Sequence, residues 1–221
     1  MGDAVIFDLD GTLLDTLDDI CEVVNGVLYS NGMPTRSIDE VRSAVGRGVE
    51  ELVRKLIPFG SATVESVKIL SDQIRKTYIE HDSVRTHPYP GINGLLNRLK
   101  AECVPVAVLT NKPQDSAEKV ISMYFGDFPF LAISGVEPGR SMKPSREAVT
   151  PVLEKLGALP GNTLMVGDSD VDMDTAVNAG MIAVGVSWGF RDVSLLLDHG
   201  AEYIVDSPME IINLLGSGRK L

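Results

Sequence analysis

Short apolar or β-branched runs alternate with amphipathic stretches at the start of the chain and again after about residue 89. Such alternation predicts an α/β, doubly wound fold, a parallel sheet with helices on both faces. The runs that read as strands are Ala4 to Phe7, Pro105 to Leu109, Leu131 to Ser134, Thr163 to Val166, Ile182 to Val186 and Tyr203 to Val205. Helical patterns lie between several of them. Leu95, Leu96 and Leu99 share one face, and the stretch ending at Leu156 meets Gly157, a natural C-terminal stop. Pro151 fits poorly inside the run from Arg146 to Leu156, because it removes a backbone donor and crowds the preceding turn. The helix is expected either to kink there or to begin at Pro151 with Thr150 as N-cap.

From Asp15 to His87 the period changes, and no convincing strand is found. Leu17, Ile20, Val24, Val27 and Leu28 form one helical stripe; Val49, Leu52, Val53 and Leu56 a second; Val67, Leu70, Ile74 and Tyr78 a third. Ser37 with Glu40 is a capping-box pattern that starts a further helix. The stretch ends at the rigid run His87-Pro88-Tyr89-Pro90-Gly91. A helical cap domain, 15–88, inserted into a core made of 1–14 and 89–221, is the economical explanation.

Of 221 residues 44% are hydrophobic, enough for one good core and a smaller second unit. A net charge of -11 repels phosphate backbones and anionic membrane surfaces, so nucleic acid and membrane are not expected partners. An anionic substrate would need a metal ion or a few well-placed cations to offset that field locally. Cys21 and Cys103 have no metal-like spacing, the start lacks a charged-then-apolar signal pattern, and no apolar run approaches a bilayer span. A cytoplasmic protein, monomer or homodimer, is the expectation.

The first strand runs straight into Asp8-Leu9-Asp10-Gly11-Thr12. If strand geometry persists, the period of two puts both carboxylates on one side, at the strand end where open α/β sheets bind ligands. At about 4 Å and an effective dielectric near 20 they would repel by roughly 4 kcal/mol, which a cation or a proton must relieve. Mg²⁺, a hard ion that takes carboxylate and phosphate oxygens, is the natural choice. For the pair alone an ordinary strand-end turn is the simpler reading, and the rest of the chain reverses that. The second strand leads into Thr110-Asn111-Lys112, whose hydroxyl and backbone N–H groups suit a phosphoryl oxygen. The fourth ends in Gly167-Asp168-Ser169, followed by Asp172 and Asp174, and Lys143 of Met-Lys-Pro is a point charge able to balance an aspartate cluster.

In this order Asp8-x-Asp10-Gly11-Thr12, Thr110-Asn111, Lys143-Pro144 and Gly167-Asp168-Ser169-x-x-Asp172 resemble the four motifs of the haloacid dehalogenase superfamily. The likeness spans almost the whole chain and implies a Rossmann-like core with a helical cap inserted after the first motif. It implies that Asp8 is the nucleophile that takes the phosphoryl group and that Asp10 is the acid and then the base. It also implies Mg²⁺ on Asp8, Asp10 through its backbone carbonyl, Asp168 and Asp172, with Asp172 steadying the metal waters or Lys143. Gly11, Thr110, the Asn111 backbone and Lys143 would hold substrate. Within the superfamily Asp-Gly-Thr-Leu-Leu-Asp-Thr, Thr-Asn-Lys, Pro-Tyr-Pro-Gly and the loop Gly46-Arg47-Gly48 are most similar to phosphoglycolate phosphatases. Such enzymes often carry a second proline shortly after the Lys-Pro pair, where this chain has Ser145-Arg146; Arg140 and Lys112 are alternative holders of the lysine role.

The resemblance leads to a Mg²⁺-dependent phosphatase acting on a small phosphomonoester such as 2-phosphoglycolate, with Arg47 as reader of its carboxylate across the closed cap. A β-phosphoglucomutase-like enzyme shares the core and keeps Asp10, so it stands second. A receiver-like phospho-accepting switch uses similar residues, but receivers are shorter and lack a cap. A true dehalogenase lacks the second aspartate of the first motif. No Gly-x-Gly-x-x-Gly follows the first strand, which leaves a dinucleotide site without support.

Overall fold

The computed structural model describes residues 3–58 and 60–216; the expected core segments reach beyond these at both chain ends. Strand β1 (Ala4–Phe7) is followed by β2 (Leu14–Asp15) and by helices α1 (Leu17–Ser30), α2 (Ile38–Ala44), α3 (Val49–Leu56) and α4 (Val64–Glu80). The chain returns through β3 (His87–Pro88) into α5 (Ile92–Ala101), β4 (Val106–Pro113), α6 (Gln114–Phe125), β5 (Ala132–Val136) and α7 (Arg146–Leu156). A short 3₁₀ turn then leads to β6 (Thr163–Gly167), α8 (Asp170–Ala179), β7 (Ile182–Val186), α9 (Val193–Asp198), β8 (Tyr203–Val205) and α10 (Glu210–Leu214).

Six parallel strands pair in the order β5-β4-β1-β6-β7-β8. The chain winds outward from β1 to β5, then crosses back to β6 on the other side of β1, so the order reverses at β1 and its carboxyl end opens a crevice. Side-chain alternation divides the core. Val5 and Phe7 of β1, with Val106, Val108, Leu164 and Val166, face α5 and α6. Ala4 and Ile6, with Ala107, Leu109 and Met165, face α7 and α8.

The helical stripes read from the sequence are buried in α1, α3 and α4, apart from the partly buried Val49, and Ser37 with Glu40 makes the expected capping box on α2. Three expectations are corrected. The segment from Asp15 to His87 does include strand residues, since Leu14 and Asp15 pair antiparallel with Pro88 and His87 across its base. Strands of two residues are too short to show a period of two. Helix α7 begins at Arg146 with Ser145 as N-cap, and Pro151 lies inside it. Thr150 is therefore no cap; its hydroxyl donates to the Arg146 carbonyl at 3.2 Å. Ser145, directly after the Lys143-Pro144 pair, supplies the cap. Finally, β4 continues past Leu109 to Pro113 through a register shift, so Thr110, Asn111 and Lys112 belong to the strand rather than to the loop after it. Among the described residues no helix is long and apolar enough to cross a membrane.

Asp19, in the first turn of α1, is fully buried and lies off the apolar stripe. It accepts from the Arg85 N–H at 3.2 Å and from the Thr86 N–H and hydroxyl, both at 2.6 Å. One carboxylate thus fastens the segment that leads out of α4 to the helix that enters the insertion. Asp19→Ala orphans buried donors and should destabilise the protein by about 1–3 kcal/mol. Urea unfolding checks this, and an unchanged midpoint would show that the fastening contributes nothing.

Candidate active site

Asp8 follows β1 directly, and its N–H still donates to Val166 of β6, at 2.9 Å. Beyond it the chain turns: the Leu13 and Leu14 N–H groups both donate to the Leu9 carbonyl at 3.0 Å. Strand geometry does not persist to Asp10, and the two carboxylates take different partners. Lys143 Nζ lies 2.9 Å from Asp8 Oδ1. Lys112 Nζ donates to both oxygens of Asp10, at 2.9 and 3.1 Å. The expected crowding of Asp8 by Asp10 is thereby largely relieved; Asp172 is the carboxylate that presses hardest on Asp8.

Asp8, Asp168 and Asp172 bring carboxylate oxygens within 4.8 Å of one another, all three buried. Asp168 follows β6 and accepts from the Thr12 hydroxyl at 3.0 Å and from the Phe190 N–H at 2.8 Å. Gly11 explains how it fits: a Cβ there would lie 2.4 Å from Asp168 Oδ2, and its φ of +89° also favours glycine. The residue expected to touch substrate makes room for a carboxylate. Asp172 receives Lys143 Nζ at 2.5 Å on one oxygen, and the Ser169 hydroxyl at 2.6 Å and Ser169 N–H at 3.1 Å on the other. Both its oxygens are engaged, so of the two roles implied for it, steadying Lys143 is the one visible here.

Burial, then Asp172, pushes Asp8 up to about 7, against the pull of Lys143. Burial, Asp172 and Asp8 push Asp168 up to about 8. Burial alone would lower the Lys143 ammonium, but Asp172 and Asp8 hold it above its ordinary value. Lys143 Nζ meets the buried Asp8 Oδ1 and Asp172 Oδ1 together. Three buried carboxylates with one ammonium among them fit a hard divalent cation.

At the end of β4 the Thr110 hydroxyl accepts from the Lys112 N–H at 3.2 Å, which leaves its own proton free to donate. The Asn111 side chain is committed to structure. It accepts from the Lys143 N–H at 2.9 Å and donates to the Lys143 and Gly46 carbonyls at 3.1 and 2.9 Å. Asp8, Asp10, Thr110, Asn111 and Lys112 floor a cavity of about 80 Å³ whose apolar walls come from α1, α3 and α4. Arg47 is not among its lining residues; its exposed guanidinium pairs with Asp170 at the start of α8. Arg140 pairs with Glu137 at the surface, away from the lysine role.

Sequence reasoning missed the loop after β7. Trp188 donates from its indole to the Thr12 carbonyl at 3.1 Å, Phe190 supports Asp168, and Arg191 donates to the carbonyls of Arg42 and Val45, both at 2.6 Å. No motif marks that loop. Ser169 could have been found, since Ser169-x-x-Asp172 is a capping box with an acidic N3 residue.

The family profile of haloacid dehalogenase-like hydrolases matches residues 5–186. The chain belongs to that family. Among curated relatives, a phosphoglycolate phosphatase of Neisseria meningitidis is 34% identical over 215 residues, covering 94% of this chain and 91% of that one. An N-acetylmuramic acid 6-phosphate phosphatase of Pseudomonas aeruginosa is 30% identical over 214 residues, covering 96% and 94%. The solved structure of a predicted phosphoglycolate phosphatase from Haemophilus somnus matches with a TM-score of 0.87 at 26% identity, over 96% of this chain and 97% of that one. The sequence resemblance and the α/β architecture are thus both borne out, as membership of the haloacid dehalogenase-like hydrolases.

An unfolded aspartate titrates at about 3.9. Asp8 and Asp168 titrate higher in the folded protein, so the folded state binds more protons between about pH 4 and pH 8. With divalent cations chelated, this contribution to stability is present at low pH and is lost as pH rises through about 7 and 8. Melting in chelator should therefore fall from about pH 5.5 to about pH 8.5, and Asp168→Asn should flatten the fall. An equal slope in both proteins would remove the cluster as its source.

Proposed function

We propose that this haloacid dehalogenase-like hydrolase is a Mg²⁺-dependent phosphatase that passes the phosphoryl group of a small phosphomonoester through Asp8, and that 2-phosphoglycolate is the substrate. The observation that carries the reading is Asp8 itself: a carboxylate that follows the central strand, lines the cavity, and is gathered with Asp168 and Asp172 around the one ammonium of Lys143. Lys143 and the Thr110 hydroxyl would bind the phosphoryl oxygens and spread their charge. Asp10 first takes up a proton from solvent on one of the two oxygens that Lys112 contacts; Asp8 then attacks phosphorus in line with the ester oxygen, which leaves with that proton. Asp10, now a carboxylate, takes a proton from water as the water attacks the phospho-aspartate; phosphate departs, Asp8 is restored and Asp10 is again protonated. Asp8, Asp168 and the Asp10 carbonyl, with Asp172 behind them, would hold Mg²⁺, which would supply charge compensation for the phosphoryl group.

The substrate rests on the names of relatives such as the Neisseria meningitidis protein and on the size of the site. A cavity of about 80 Å³ suits a very small ester.

Asp8→Asn should remove turnover and leave the fold intact, because the amide is nearly isosteric and cannot attack phosphorus. Near wild-type activity in that variant refutes the mechanism. Asp10→Asn should slow both phospho-enzyme formation and its hydrolysis; rapid-quench traces with both steps unchanged take Asp10 out of the acid and base role. A chelator should abolish activity and Mg²⁺ restore it, with Ca²⁺ inhibiting through its larger and looser coordination. Full activity with metal content confirmed as nil contradicts the metal requirement.

A further inference from the structure

With Arg47 paired to Asp170 at the surface, the site needs another group to recognise an anionic leaving portion. Resting on the phosphatase reading above, we propose that Lys112 Nζ and the Tyr78 hydroxyl form a clip that reads the carboxylate of 2-phosphoglycolate, and so determine specificity.

Lys112 lies beside the acid. Its ammonium touches both oxygens of Asp10, at 2.9 and 3.1 Å, and the ester oxygen must come within about 3.2 Å of that same carboxyl group to receive its proton. In glycolate a single methylene separates the ester oxygen from the carboxylate. The carboxylate is thereby carried to the neighbourhood of whatever holds Asp10, and Lys112 is what holds it. An ammonium has three donors, and Asp10 engages one side of it.

Tyr78 covers another side. The Lys112 ammonium stands over the ring face, 4.0 Å from its centroid, and is near enough to the hydroxyl for the two groups to act on one another. That hydroxyl is buried and has no hydrogen-bond partner among the described residues, although Tyr78 is only 6% exposed and lines the cavity with Lys112 and Asp10. A buried hydroxyl without a partner calls for an explanation, and an acceptor on the ligand supplies one. Arg75, the other cation on the lining, sits nearer solvent, with its side chain 36% exposed and Asp72 3.5 Å away.

The two halves of the clip come from different parts of the fold. Lys112 is on β4, Tyr78 is on α4, and the apolar walls of Val24, Val49, Leu52 and Ile74 keep water from screening the contact. The clip is complete only when the helical insertion is closed on the sheet, so the right substrate helps to hold it closed.

The test is binding, separated from turnover. In an Asp8→Asn background with Mg²⁺, calorimetry compares 2-phosphoglycolate with its neutral amide, 2-phosphoglycolamide. The acid should bind about 10 to 150-fold more tightly, as expected for a charge-assisted contact. Adding Lys112→Met should bring the ratio close to one, and adding Tyr78→Phe, which deletes a single oxygen and keeps the ring, should lower it by about 3 to 10-fold. A ratio that survives both changes overturns the clip, as does a parent that binds acid and amide equally, or a collapse caused by Arg75→Gln or Arg47→Ala instead. Failure of the phosphatase reading shows separately, as the absence of phosphate release from any small phosphomonoester by the otherwise unaltered protein.

Discussion

Lys143 carries its ammonium into the interior, 2% exposed, between Asp8 at 2.9 Å and Asp172 at 2.5 Å. A desolvated ion costs several kcal/mol unless its partners are held in good geometry, and much of the surrounding structure serves to hold them. Asn111 binds the Lys143 backbone on both its N–H and its carbonyl, which ties the lysine's loop to the end of β4. Ser169 fixes the far oxygen of Asp172 through the N-cap of α8. Asp8 closes the set from β1. Residues from the end of β4, the turn after β1 and the first turn of the helix after β6 thus converge on one lysine, and the same placement sets Asp8 on the cavity lining.

Most of the sheet was legible because a strand buried on both faces must be apolar along its length, and the runs from Ala4, Thr163 and Ile182 are so. The helical stripes were legible for a similar reason: a helix that packs on one side repeats its apolar residues at helical spacing. What could not be read has physical causes too. The ribbon of Leu14 and Asp15 with His87 and Pro88 is defined by partners far apart in sequence, and two residues carry no period. Pro151 survives inside α7 because the helix is already started by Ser145 and packed along Val149, Val152 and Leu156. Local propensity alone left a kinked helix and a later start both open.

In the site, the residues singled out by their type come together: Asp8, Asp10, Asp168, Thr110 and Lys143 stand at strand ends or in the turns and loops that follow them, and Asp172 in the first turn of α8. Relations between side chains were not readable. Nothing in the string shows that Asp10 is neutralised by Lys112, that Gly11 yields space to Asp168, or that Arg47 turns to Asp170. Each depends on a distance across at least one strand or loop. Tyr78 shows the limit most plainly, since its apolar spacing on α4 correctly marked it as packed and said nothing of where its hydroxyl ends.

The contacts that join the helical insertion to the sheet have a property of their own. Arg191 donates to the main-chain carbonyls of Arg42, Ser43 and Val45, and Asn111 donates to that of Gly46. Both donors belong to the sheet side, and neither bond depends on which side chain the insertion carries at those positions. Those bonds are indifferent to the side chains of residues 42 and 43, whereas Gly46 has a φ of +117° and Ala44 is buried in the core. A change of side chain at 42 or 43 leaves these hydrogen bonds standing, so the seam is held by main chain where its own side chains are least constrained.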